Sequence, residues 1–372
     1  MNKLYTALGL MSGTSGDGVD ASIIKSDGIS SLEVIFDNFF EYDISIYDNI
    51  HKLKDKINNR KNIIEFEEDL KSLEREITLF HAKVVKKILE NRKVDLIGFH
   101  GQTIYHNSKE KISKQLGDAK LLFQLIKKKI VYNFRERDLQ NEGEGAPLTP
   151  IYHHLILKKK LIPIPACILN IGGISNITVI NDFDSFNFTS RDIGPGNCLI
   201  DKWVRKNSKN KFDKNGKIAS TGIVNEIILE QAQELYANRP ETKNLSFDVN
   251  DFDVSFARGL SLEDGCATLT EFTSGIISAS LNFLEKKIKD KKIKVLVAGG
   301  GRKNKILIKK IKDKLSDKIQ IQSIDTFEID GDFVESQAFA FLAIRSILNL
   351  PISFPSTTGC IKPCTGGDIL DF

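Results

Sequence analysis

Apolar residues along this chain follow two rhythms. Short runs dense in Leu, Ile and Val alternate with longer stretches in which apolar residues recur every three or four positions, as strands alternating with helices require. LYTALGLMS (4–12) reads as a buried strand, and DASIIKSD (20–27) as its β-branched partner across a glycine-rich loop, so the pair predicts a hairpin. SLEVIFDNFFEYDI (31–44) continues the strands. Residues 51–92 carry helical spacing through Ile64, Leu70, Leu73, Ile77, Leu79, Val84, Val85, Ile88 and Leu89. VDLIGFHGQT (94–103) predicts a short strand ending in a polar loop, LLFQLIKKK a helix and IVYNF a strand.

A second block begins near residue 133. ACILNIGGISNITVIND (166–182) again predicts strand, glycine turn and strand. Helices are predicted from 197, over 222–238 and over 267–289. IKVLVAGGGRKNKIL (293–307) reads as a strand running through three glycines into a helix, and 333–350 has strong helical periodicity. The hairpin with a glycine turn thus occurs twice. Two such hairpins in similar halves would each offer N–H groups to one polyphosphate, and two unrelated glycine turns are the alternative.

Composition narrows the class. The 372 residues, 41% hydrophobic and 27% charged, suit a globular chain of two domains or one large one with a cleft. The net charge of +4 is spread over mixed runs such as KKIKDKKIK (286–294), a solvated helix face, without the aromatic interleaving of a nucleic-acid groove. Five scattered cysteines fit reduced thiols, and Cys360 and Cys364 have no histidine nearby to complete a zinc site. No signal peptide and no stretch of about 18 apolar residues is present, so a soluble cytoplasmic protein is expected.

GLMSGTSGDGVD (9–20) concentrates the chemistry. Gly13 to Gly18 match the outer glycines of a P-loop, but Val19 and Asp20 stand where Lys and Ser or Thr are required. Gly16-Asp17-Gly18-Val19-Asp20-Ala21 also fits a dinucleotide fingerprint, but a strand follows where a helix N-terminus is needed. What survives is an anion nest of glycine N–H groups with hydroxyls from Thr14 and Ser15. Asp17 and Asp20 sit beside phosphate sensibly if a magnesium ion, held through water by one of them, lies between; a tight turn with solvated aspartates is the alternative.

In SRDIGPGNCLIDKW (190–203), Asp192 precedes a Gly-Pro-Gly turn and is either a general base or a turn-forming aspartate, and Asn197 is placed to cap the following helix. FHGQTIYH (99–106) offers His100, Gln102, Thr103 and His106 as a polar loop or as satisfied structural groups. Arg135, Arg137 and Asp138 suit recognition of sugar hydroxyls or a carboxylate. Gly299, Gly300 and Gly301 permit close approach to a flat base or ribose. Glu335 lies near a helix start, where a carboxylate is favoured electrostatically whatever its role.

With these residues in view, the sequence resembles the anhydro-N-acetylmuramic acid kinases. The resemblance is carried by GLMSGTSGDGVD, HGQT, NFRERD…GEGAPL, NIGGISN, DIGPGN, AGGGRKN, VESQAFAFLA and PSTTG, in order from residue 9 to 359. It implies an α/β, two-domain actin-like (ribonuclease H-like) ATPase fold with a central interdomain cleft. Its domains are expected at 1–131 plus about 351–372 and at 132–350. Asp192 would be the catalytic base. ATP would be bound by Gly13, Thr14, Ser15, Gly16, Asp17, Gly18, Val19, Asp20, Gly172, Gly173, Gly299, Gly300, Gly301 and Asn304, with Mg2+ addressed by Asp17 or Asp20 through water. His100, Gln102, Thr103, Arg135 and Glu335 would meet the sugar.

The implied reaction opens 1,6-anhydro-N-acetylmuramic acid with water and phosphorylates O6 from ATP, in cell-wall recycling. A kinase of another sugar, or a non-catalytic ATP-binding module, are the rivals. A nucleic-acid or membrane partner is not expected, and a homodimer is left open. Asn133, Glu142, Glu144, Asn170 and Ile193 depart from the family's usual residues.

Overall fold

A strand order repeated in two sheets organises the chain. The computed structural model describes residues 3–183, 187–237, 247, 249–288 and 292–372. Two compact units divide it: 1–161 with 332–372, and 162–331.

The first unit is built on β1 (Tyr5–Ser12), β2 (Gly18–Ser26), β3 (Leu32–Glu41), β4 (Leu96–Asn107), β5 (Ile112–Leu116) and β6 (Lys129–Tyr132). The hairpin expected from the β-branched runs is present: β1 pairs antiparallel with β2, with Met11 opposite Asp20, and β2 with β3. On its other side β1 runs parallel to β4, and β4 parallel to β6. The helical stretch after β3 is broken into α1 (Ile44–Lys54), α2 (Arg60–Glu65) and α3 (Glu67–Leu89). Asn59 caps α2 by accepting from Asn62 N–H, which restarts the chain. In α3, Leu70, Leu73, Ile77, Val84, Val85 and Ile88 form the buried stripe, whereas Leu79 of α3 and Ile64 of α2 face outward. Acidic residues open α3 and lysines close it, in agreement with the helix dipole.

α4 (Ala119–Ile126), α5 (Glu136–Gln140) and α6 (Pro150–Lys159) complete the first stretch of this unit.

The second unit repeats the order. β7 (Ala166–Ile171), β8 (Ile174–Ile180) and β9 (Phe188–Pro195) form an antiparallel meander, and β10 (Ile293–Ala298) and β11 (Ile319–Ser323) extend β7 in parallel. The orders β3-β2-β1-β4-β6 and β9-β8-β7-β10-β11 correspond strand for strand, the first sheet being extended by β5 and by β12 (Asp368–Leu370). The same strand order therefore occurs once in each unit. α7 (Cys198–Asn207), α8 (Glu226–Ala237), α9 (Leu262–Lys287) and α10 (Lys305–Lys312) belong to the second unit. The predicted helices over 222–238 and 267–289 run partly into residues outside the described set.

α11 (Val334–Ile347) and α12 (Pro355–Thr358) return to the first unit. The expected boundaries near 131 and 350 therefore fall inside that unit. Polar contacts hold α11 there: Ser336 Oγ lies 2.6 Å from Ser22 Oγ, Gln337 donates to the Asp37 carboxylate, and Arg345 donates to Gly28 O at 2.7 Å. The five cysteines are free thiols. Among the described residues, no helix is long and apolar enough to cross a membrane.

Candidate functional site

In the first unit, residues 13–17 link β1 to β2. Gly16 N–H closes a turn onto Gly13 O at 3.2 Å, with Gly16 at φ +64°, a conformation favouring glycine. Three loop carbonyls are tied back into the protein. Gly13 O accepts from Gln102 Nε2 at 2.6 Å, Thr14 O from Lys54 Nζ at 2.6 Å, and Asp17 O from Tyr42 N–H at 2.9 Å. Among the described residues the N–H groups of Gly13, Thr14, Ser15 and Asp17 meet no protein acceptor. With three carbonyls bonded to the protein and four N–H groups without a protein acceptor, the loop has the donor set that an anion nest requires. Ser15 Oγ donates to Asp17 Oδ1 at 2.6 Å, which orients that carboxylate. The Val19 side chain is buried in the core, and Gly18 and Val19 lie in the β2 ladder opposite Glu41 and Phe40. Asp20 follows on the same strand.

A buried chain steadies the approach to the loop. Tyr42 OH donates to Ser12 Oγ at 3.0 Å, and Ser12 Oγ lies 3.1 Å from His81 Nε2. His81 Nδ1 lies 2.8 Å from Ile77 O, so Nδ1 carries the proton and Nε2 accepts. Burial lowers the His81 pKa to about 4, consistent with a neutral ring.

His100, Gln102, Thr103 and His106 correct the expectation of a loop after residue 100: all four lie within β4. The strand continues because β5 pairs with its second half and a register shift between Leu10 and Ser12 absorbs the irregularity. Gln102 is fully buried; its Nε2 bonds to Gly13 O and Thr103 O fix its orientation, and Oε1 has no partner among the described residues. His100 and Arg135, far apart in sequence, meet. Arg135 donates to His100 Nε2 from Nε (3.2 Å) and Nη2 (2.9 Å), and from Nη1 to Gly145 O (2.7 Å). Burial and the adjacent guanidinium hold the His100 pKa well below the ordinary histidine value. His100 is therefore a neutral support for Arg135, with Nδ1 donating to Gly101 O. His106 bonds Ser113 Oγ at 3.0 Å, and burial with the Arg135 charge lowers its pKa to about 3.

The loop that receives Arg135 is organised by Asp138, which is almost wholly buried. It accepts from Gly145 N–H at 2.8 Å and Thr358 Oγ1 at 2.7 Å, which explains the attachment of PSTTG to GEGAPL. Two sequence departures also find reasons. Asn133 stands at φ +57°, which asparagine tolerates, and its Nδ2 donates to Glu136 and to Asp368; an aspartate would face two carboxylates. Glu142 turns toward Lys111, 4.0 Å away. Glu335 lies in the first turn of α11, as expected.

In the second unit, Gly172 and Gly173 form a two-residue turn between β7 and β8. Their carbonyls are also tied, but by backbone: Gly172 O accepts from Asn197 N–H (2.8 Å), Gly173 O from Gly196 N–H (2.9 Å) and Cys198 N–H (3.1 Å). The start of α7 is thus spent on the turn. Asn197 occupies the cap position of α7, but its side chain does not cap the helix, contrary to expectation. It adopts a helical backbone conformation, and its Nδ2 points to Ile171 O at 3.4 Å. Asp192 lies on β9 opposite Asn176, and Ile193 is the extra residue of a bulge there. Bulges re-aim side chains. The Asp192 carboxylate is fixed at Oδ2 by Phe247 N–H at 2.7 Å.

Gly299 takes φ +77° where a Cβ would lie 2.3 Å from Asn170 Oδ1, and Gly301 packs on Ile171. The AGGGRKN stretch therefore sits against the end of β7, beside the Gly172–Gly173 turn. Gly300 has open space around it. Asn304 caps α10 by accepting from Leu307 N–H at 3.0 Å. Arg302 is braced by a two-toothed bond to Asp325 (2.8 and 3.0 Å), which holds that carboxyl below the ordinary carboxylate range. Lys54, Tyr42, His81, Phe247 and Asp325 were not legible as site residues, and Thr358 was legible only as part of the PSTTG motif, without a role. Each acts through a partner distant in sequence, and the first five carry no local motif.

A family model described as anhydro-N-acetylmuramic acid kinase matches residues 5–371. A relative of that description from Pelagibacter ubique is 53% identical over 369 residues, covering 99% of this chain and 98% of the relative. Another from Zymomonas mobilis is 38% identical, covering 98% and 99%. Among solved structures, the activator of the 2-hydroxyisocaproyl-CoA dehydratase from Clostridium difficile with bound ADPNP aligns over 92% of this chain and 96% of its own, at 11% identity and a TM-score of 0.41.

Proposed function

Since the chain belongs to the anhydro-N-acetylmuramic acid kinase family and is a kinase of that amino sugar, we propose that it couples hydrolytic opening of the 1,6-anhydro ring to phosphorylation of the freed O6. The observation that carries the nucleotide half of this reading is the 13–17 loop, whose tied carbonyls and unsatisfied N–H groups match the oxygens of a polyphosphate. In the second unit the Gly172–Gly173 turn and the open backbone at Gly300 fit phosphate and adenosine respectively.

Asp192 is the base in this reading. With Oδ2 fixed by Phe247 N–H, the carboxylate takes a proton from water as the water oxygen bonds to the anomeric carbon. The C1–O6 bond breaks, and O6 bonds to the γ-phosphorus as ADP leaves. The products are N-acetylmuramic acid 6-phosphate and ADP. Arg135, held by His100 and Gly145 O, fits the lactyl carboxylate of the substrate. Glu335, at the start of α11, is assigned to the sugar.

Among the described residues no group of three or more His, Cys, Asp or Glu side chains is placed to hold a metal directly. A magnesium ion held by phosphates and water, with one carboxylate in its outer shell, suits what Asp17 and Asp20 offer. Bound there, Mg2+ would offset charge on the transferring phosphoryl group.

Turnover with ATP, magnesium and the anhydro sugar in oxygen-18 water tests the scheme. Label at the anomeric hydroxyl of a 6-phosphorylated product is expected, and unlabelled product removes the water-attack step. Asp192→Asn is expected to lower kcat by about a thousandfold or more, with nucleotide affinity nearly unchanged. An equal loss of nucleotide affinity would give Asp192 a structural or metal role instead.

A further inference from the structure

The glycine hairpin lacks a cation of its own. Val19 and Asp20 occupy the places of a P-loop lysine and hydroxyl, and Asp17 and Asp20 add negative charge. The structure brings a lysine to it from elsewhere. α1 packs directly against the loop: a Cβ on Gly16 would lie 2.8 Å from Ile50 Cγ2. Lys54 is four residues after Ile50, hence on the same face of α1. Its side chain is buried with the residue 8% exposed, and Nζ reaches Thr14 O at 2.6 Å.

The geometry of the peptide unit gives this contact a consequence. In a trans peptide the C=O and the next N–H point to opposite sides. An ammonium on Thr14 O therefore aims Ser15 N–H away from α1 and polarises that peptide. Gln102 on Gly13 O does the same for Thr14 N–H, as a neutral donor. Both N–H groups are among the four without a protein acceptor.

We propose that Lys54 is the charged positioning residue of the phosphate loop: it directs Ser15 N–H and supplies, from α1, the positive charge that the glycine motif lacks. This rests on the reading of residues 13–17 as a polyphosphate receptor. The ligand class is a nucleoside polyphosphate, and the benefit grows with phosphate number.

Binding of adenosine, AMP, ADP and ATP in the presence of magnesium would be measured by calorimetry on the full chain carrying Lys54→Arg, Lys54→Gln or Lys54→Met. Lys54→Arg is expected to bind ATP within about threefold of the parent, and the Gln and Met variants about tenfold or more weakly. The loss should shrink from ATP to ADP to AMP and vanish for adenosine, with the sugar KM unchanged. Thermal melting reports whether each variant folds, and the Arg variant carries the test if Met or Gln does not. Restored affinity in Lys54→Gln would reduce Lys54 to a tether and overturn the proposal. Equal weakening of adenosine, or loss of ATP affinity in Lys54→Arg as large as in Lys54→Met, would overturn it too. If the parent chain binds no ATP, the loop reading itself falls. If the parent binds ATP and Lys54→Met and Lys54→Gln match it, only the role of Lys54 falls.

Discussion

The two glycine hairpins occupy equivalent places in two sheets of the same strand order, yet they are held by different means. The carbonyls at 13, 14 and 17 are tied by Gln102, Lys54 and the backbone of Tyr42, which come from β4, α1 and the end of the first meander. The carbonyls at 172 and 173 are tied by three successive N–H groups at 196–198, at the start of α7. A five-residue loop needs outside supports because its own backbone closes only one turn. A two-residue turn leaves so little freedom that the adjoining helix start completes it. The first loop is consequently the one tunable by side-chain substitution, and the second is sensitive to backbone geometry.

Electrostatics differ between the units as well. All six histidines fall in the first unit and the single tryptophan, Trp203, in the second. Burial lowers the pKa of His81 to about 4 and of His153 to about 3, and His100 and His106 are lowered too. The fold thus keeps these rings neutral, whereas an unfolded chain would protonate them below about 6.5. Their contribution is complete above pH 6.5 and is lost progressively below it, down to about pH 4 for His81 and about pH 3 for His106 and His153.

The largest effect expected from this comparison is acid instability confined to the first unit. His81 alone accounts for about 3 kcal/mol across that window. Amide exchange in β1, β2 and β4 should rise between pH 6.5 and 4 before Trp203 fluorescence changes. Simultaneous loss in both units would mean that carboxylates, not histidines, control the transition.

Gly196→Ala probes the backbone-held hairpin. A Cβ there would lie 2.3 Å from Gly172 O, a backbone atom that cannot move aside cheaply. A loss of about 3 kcal/mol in denaturant unfolding is expected, with protection of β1 and β2 unchanged. A neutral result would show that the turn tolerates loss of its supports.

Tyr42→Phe is the finest probe. It removes the hydroxyl that donates to Ser12 but keeps the N–H on Asp17 O, so about 1 kcal/mol of stability should go, with ATP affinity altered less than by Lys54→Met. An ATP affinity lower than that of Lys54→Met would move the main support of the loop from Lys54 to Tyr42.

Periodicity located both hairpins, the buried stripe of α3 and the strand-to-glycine transitions at 172 and 299, because each depends on neighbours in sequence. Where it failed, distant partners decided. HGQTIYH stayed in a strand because β5 was there to pair with it. The side chain of Asn197 left its cap position for Ile171 O. Residues 332–350 joined the first unit because Ser22, Asp37 and Gly28 offered polar partners to α11.

By itself the sequence determined the α/β class, the duplicated hairpins, the motifs of the family and the residue types available for chemistry. These are local properties, set by side-chain alternation and by backbone freedom at glycine. Only the tertiary structure decided which groups meet: that His100 serves Arg135, that Asp138 and Thr358 fasten the loop behind it, and that α1 delivers Lys54 to Thr14. Hydrogen bonds act over about 3 Å, and only the folded chain brings residues 35 to 220 positions apart within that reach. GLMSGTSGDGVD specifies a loop able to offer its N–H groups, and Lys54, Gln102 and Tyr42 set which way they point.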